Sequence, residues 1–170
     1  VNRVLAEHYG GTLEQRYHAA APANDDHTWQ PVTGLQQAGR GGLLGMAVVL
    51  TKNSAGQRTS PVKRGFWSAH HLLGQHFPPP PADVPELPTT EKEASATIRE
   101  LLAAHVKDPQ CAMCHSHFDS LGLAMEGFDA IGRSRTTDLA GRPIDHVARL
   151  PNGQTAAGIP GLIEYIVQHR

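Results

Sequence analysis

The chain contains two cysteines, and both stand in one run, Cys111-Ala112-Met113-Cys114-His115. No disulfide can therefore staple distant segments together, and the fold has to be held by an apolar core or by something bound at that run. The spacing points to one chemistry in particular. Two thiols three positions apart can each add to a vinyl group of one porphyrin, and the residue that follows offers an imidazole to the iron. On this reading the run holds haem c covalently through Cys111 and Cys114, with His115 as the proximal iron ligand. Three rivals use the same residues. A structural zinc would need four ligands, with His105 or His117 helping to complete the set, and a single two-cysteine cluster is a weak signature for it. A thiol–disulfide redox pair usually opens a helix in a βαβ context, which the flanking sequence lacks. A local structural disulfide is the third.

Composition bears on what surrounds the run. A hydrophobic share of 39% permits a packed core, but aromatic residues make up only 5%, and 13 Pro with 17 Gly imply that much of the chain is turn or loop. A haem would supply the large flat apolar body that the side chains do not. The formal net charge is −1 with acids and bases intermixed, so no basic stripe points to nucleic acid. No apolar run approaches the roughly 18 to 20 residues needed to span a bilayer, so no transmembrane segment is expected. The chain opens on Val1-Asn2-Arg3 with no signal-peptide pattern and reads as a mature product or a piece of something longer. Covalent haem attachment is carried out outside the cytoplasm, which makes a periplasmic or otherwise extracytoplasmic location the expectation.

Along the chain, Val1 to Tyr9 has helical spacing and stops at Gly10-Gly11. Thr12 to Arg40 shows no clear period and reads as a long irregular connection. Gly41 to Thr51 is the most apolar stretch and is expected to be buried. Ser60-Pro61 is a helix start with proline at the first position, and that helix runs to about Leu73, ended by Gly74. Pro78 to Pro81, followed by Val84-Pro85, reads as a stiff polyproline II strap joining two halves. Thr89 or Thr90, with Glu93, then reads as the cap of a helix carrying Ile98, Leu101, Leu102 and His105. Asp108-Pro109 breaks that helix just before Cys111. Asp138 to Thr155 reads as one or two hairpins with turns at Ala140-Gly141 and Asn152-Gly153, and a closing helix starts near Pro160. The expected architecture is mainly α, a small cytochrome c-like helical haem domain with long irregular loops and a short β-hairpin. It divides into residues 1–88, ending in the strap, and a haem domain over residues 89–170.

The sixth position of the iron decides between electron transfer, which wants both axial sites filled, and reaction with oxygen or peroxide, which wants one open. Met46, distant in sequence and in an apolar stretch, ranks first as the sixth ligand, with Met125 and His146 as alternatives. His105 and His117 start on the proximal side. Arg58, Arg64 and Arg133, with Arg135, are the candidate partners of the haem propionates, because guanidinium binds carboxylate bidentately.

Several runs beyond the motif stand in one order: Arg40-Gly-Gly-Leu-Leu-Gly-Met46, Arg58-Thr-Ser-Pro-Val-Lys-Arg-Gly65, Pro78 to Pro81 with Val84-Pro85, Cys111 to His115, Leu121-Gly-Leu-Ala-Met-Glu-Gly-Phe-Asp-Ala-Ile-Gly-Arg133 and Pro143-Ile-Asp145. Over about residues 1–168 the chain resembles the C-terminal part of planctomycete-type cytochrome c proteins, two linked domains of unknown function. Ser120 and Gly127 depart from that pattern, where Pro and Asn are common. The resemblance implies extracytoplasmic redox work within a much larger protein and supplies no substrate.

Two functions follow as expectations. One is a monohaem c-type module that passes electrons to or from a redox protein partner, or other domains or subunits of a larger complex. The other is a haem c peroxidase or oxygenase with an open distal site and His70, His71 or His146 as its acid–base group. A docking module, with Pro78 to Pro85 as its best feature, is a third.

Overall fold

The computed structural model describes residues 1–20, 27–84 and 87–170. Helix α1 (Arg3–Tyr9) begins where the Asn2 side chain accepts from the Leu5 N–H and ends at Gly10. A second helix, α2 (Gly11–Ala20), follows at once, where an irregular connection was expected. Its only strong signal is Leu13 and Tyr17, four residues apart. These two pack with Ala6 and Tyr9 of α1 into a small separate core, so neighbouring structure rather than its own periodicity holds it helical.

Residues 27–46 carry only short 3₁₀ turns at Leu35–Ala38 and Leu43–Gly45 before α3 (Ala47–Lys52). The expectation that Gly41 to Thr51 is buried holds for Leu44 and Leu50 but fails for Leu43, Met46 and Val48, which stand exposed. Arg40 ties this region to its neighbours. Its guanidinium lies 4.2 Å from the Tyr9 ring centre and 4.3 Å from that of Phe128, and donates to the carbonyls of Gly45 and Gly132. Burial pushes it down to about 10, so it remains charged at neutral pH.

Helix α4 (Pro61–Leu72) starts as its sequence implies, with the Ser60 hydroxyl accepting from the Lys63 N–H and Pro61 in the first turn. Pro78 to Val84 is irregular and exposed, and Pro85 lies outside the described residues. Helix α5 (Ile98–His105) is capped by Thr97, whose hydroxyl accepts from the Glu100 N–H while the Glu100 carboxylate accepts from the Thr97 N–H. The expected cap at Thr89 or Thr90 therefore yields to Thr97. Both Thr90 and Thr97 have glutamate three residues on, but only Thr97 leads into apolar side chains that a helix can bury.

Helix α6 (Pro109–Leu123) packs chiefly on α4, with α5 and β1 as lesser neighbours. Strands β1 (Val147–Arg149) and β2 (Thr155–Ala157) pair antiparallel across the Asn152-Gly153 turn, with Ala148 opposite Ala156. Helix α7 (Gly158–His169) closes the chain. The architecture is thus mainly helical with one two-stranded hairpin. Its principal core joins Leu44, Leu50 and Ala69 to Phe118, Leu121, Met125, Phe128, Ile159 and Leu162. Side chains from both sides of residue 88 share it.

The closest approach is between α4 and α6. A Cβ at Gly65 would overlap the Phe118 carbonyl oxygen, and one at Gly122 would overlap the Pro61 carbonyl oxygen. Each helix therefore offers a glycine where the other's backbone passes.

Candidate functional site

Asp108 accepts from the Gln110 N–H and Pro109 fills the first helical position, so the residue pair that breaks α5 also starts α6. The Cys111 to His115 run consequently lies within a helix of 15 residues. Positions 111, 114 and 115 then share one helical face. Met113 points away and is 69% exposed.

Cys111 and Cys114 are partly exposed and not joined to each other. Cys114 also leans on the principal core. The Nδ1 atom of His115 stands 2.9 and 3.0 Å from the two carboxylate oxygens of Asp119. A carboxylate only accepts, so Nδ1 carries the proton and Nε2 keeps the free electron pair. Among the described residues Nε2 has no hydrogen-bond partner. Around the imidazole lie His105, with ring centres 4.8 Å apart, and Phe118 at 5.0 Å. Phe118 in turn meets Phe66 and Phe77 edge-on, Phe66 stacks on His70, and His70 meets His76. A seam of aromatic and imidazole rings thus runs from α4 to His115.

This donor set fits a covalently attached haem: two reachable thiols at the right spacing, and an imidazole nitrogen held ready for iron. Among the described residues no group of three or more His, Cys, Asp or Glu side chains comes together where it could hold a metal ion.

The other expected ligands fall elsewhere. Met46 opens α3, 45% exposed, where the neighbouring Ala47 N–H donates to the Tyr9 hydroxyl. Helix α3 is not among the chief neighbours of α6. Met125 is 1% exposed and fills the principal core, which leaves its sulfur no open face for an iron. His146 is exposed beside Gly127 and Gly158.

Arg64 is committed to partners within the chain. It is 1% exposed and spends its donors inside the protein, on the carbonyls of Met125, Phe128 and Asp129 and on the Ser54 hydroxyl. These bonds hold the turn after α6 against α4. Burial pushes Arg64 down to about 10. Glu126 lies 3.6 Å away, equally buried, and also accepts from Arg135, which bonds Glu91 as well. Arg58 donates to the Pro88 and Thr59 carbonyls and lines a cleft of about 450 Å³ with Glu91, Arg135 and Leu139, to which α6 contributes no residue. Arg133 is exposed.

Two features escaped the sequence reading. Asp119 was legible in principle, because a carboxylate four residues after a histidine on a helix faces it. His76 and Phe77 were not, since they follow the Gly74 stop in an irregular segment whose direction no local rule sets.

The family PSCyt3, described as a protein of unknown function (DUF1588), matches the chain over residues 40–138. That span takes in Arg40, the α4 cap, the whole of α6 and Arg135. No curated protein and no solved structure matches the chain.

Proposed function

The chain belongs to the PSCyt3 family of planctomycete cytochrome domains, and from that premise we propose that it is a monohaem c-type module transferring electrons to or from a redox partner outside the cytoplasm. The observation that carries the reading is Cys111, Cys114 and His115 on one face of α6, with Nε2 of His115 free and Nδ1 held by Asp119. The haem would supply a one-electron iron couple; the chain's own residues attach it, orient it and set its surroundings. Cys111 and Cys114 hold its edge from consecutive turns of the helix. His115 offers Nε2 to the metal. Phe118, with Phe66 and Phe77 behind it, keeps water from one side of the imidazole.

The partner reading is a redox protein or other parts of a larger complex. No described helix is long and apolar enough to cross a membrane. Met46 remains the proposed sixth ligand only if the start of α3 meets the haem. Its exposure, with Met125 in the core, favours a second reading in which the sixth position is open and the module is a peroxidase or oxygenase.

Absorption spectra of the matured protein separate the two. An electron-transfer module is expected to give a low-spin ferrous spectrum that carbon monoxide leaves unchanged. A carbon monoxide complex forming at once sinks that reading in favour of the open site. No haem retained on a denaturing gel after expression with a competent maturation system overturns both.

A further inference from the structure

Resting on the haem reading above, we propose that Asp119 is the residue that sets the donor strength of His115 and so lowers the reduction potential of the haem. The argument begins with position. On α6 the side chain at 119 comes back over the turn below it and meets the side chain at 115. Both Asp119 oxygens lie within 3.0 Å of Nδ1, so the carboxylate straddles the N–H instead of touching it with one corner.

Surroundings strengthen the contact. The two side chains are only 17% and 12% exposed, so water screens the charge poorly. Among the described residues Asp119 has no arginine or lysine partner; its one ion-pair contact is His115. Its charge is therefore undivided. The ring environment of His115, with Phe118 on one side and His105 on the other, adds no competing acceptor at Nδ1.

The chemistry follows from electrostatics. A carboxylate drawing on the Nδ1 proton gives the imidazole partial imidazolate character and makes Nε2 a stronger donor. The ferric iron carries one more positive charge than the ferrous, so both the stronger donor and the nearby negative charge favour it. Reduction adds one electron and breaks no bond, so the whole effect appears in the potential. A neutral acceptor at Nδ1, such as an amide, would orient the ring equally well without that bias. Asp119 is a positioning residue with an electrostatic charge to deliver: it fixes the tautomer and pushes electron density to the metal.

The test uses the full chain matured with haem, and compares Asp119→Asn, which keeps shape and an acceptor oxygen, with Asp119→Glu, which keeps the charge. Midpoint potentials come from spectroelectrochemical titration. Expected is a rise in potential for Asp119→Asn equivalent to at least tenfold in the one-electron equilibrium constant, about 59 mV. Asp119→Glu should recover most of that shift. An unchanged potential in a haem-loaded Asp119→Asn protein with wild-type helicity overturns the proposal. So does an equal shift in both variants, since that marks a packing effect. Absence of attached haem in the wild type fails the underlying reading instead, and is seen before any variant is compared.

Discussion

Cys111, Cys114 and His115 stand at i, i+3 and i+4 of one helix, an arrangement that needs no loop to bring them together. Elsewhere at the residue scale, the most demanding position is Glu126. It is wholly buried between Arg64 and Arg135 and is bonded by the Thr59 hydroxyl. Burial pushes its carboxyl above the ordinary range; Arg135, Arg64 and Thr59 pull the other way without cancelling it. A carboxyl raised in the folded state holds a proton there that the unfolded chain has already released. Its contribution to stability is thus full below the unfolded pKa and declines as pH rises through the folded value. The expected outcome is a urea midpoint for the wild type that falls with pH across that window relative to Glu126→Gln, in which this component is gone. Parallel pH profiles for the two proteins would contradict it.

At the scale of elements, α4 and α6 meet backbone to backbone at Gly65 and Gly122. Gly65→Ala is expected to destabilise the fold by about 3 kcal/mol, the upper end for overpacking, because the atom it meets is a main-chain carbonyl that cannot rotate away. Chemical denaturation reads this directly, and a loss below about 0.5 kcal/mol, the scatter of surface substitutions, would show the helices free to part. Neither glycine announces this role in sequence, since nothing local says which backbone will pass beside it. What was legible there was local: the Ser60-Pro61 start, the Asp108-Pro109 break, the Asn152-Gly153 turn and the closing helix are written in adjacent residues, whereas the start of α6 at that same break was not read. The misreadings came from distance. Helix α2 forms because α1 lies beside it, and Thr97 outcompetes Thr90 because the face that follows it finds a core to enter.

Across the whole molecule, the buried ions link segments that lie far apart in sequence. Arg135 bonds Glu91, Glu126 and Thr59, while Arg64 bonds the turn that follows α6, so chain on both sides of residue 88 closes on one charged knot. Arg64 shows why such a role is hard to assign from sequence. An arginine near a haem motif and an arginine in a core look alike until its carbonyl partners, from 61 to 65 positions away, are known. The Cys111–His115 run needed no such knowledge, which is why it could be read at once.

The halves of α6 also differ in how they are held. Phe118, Leu121 and Gly122 are buried against α4, whereas Gln110, Met113, Ser116 and His117 face solvent and both cysteines are half-open. The helix is a beam clamped at its C-terminal end, with its attachment points on the projecting end. Its thiols can be reached without loosening the clamp. On the proposed haem reading, maturation acts on a chain that is already folded, and the order of events becomes measurable. The haem-free protein should react at both cysteines with a maleimide at a rate that does not change with sub-denaturing urea. A rate that climbs steeply as urea approaches the unfolding midpoint would mean that the core must open first, and that haem insertion belongs to the unfolded chain.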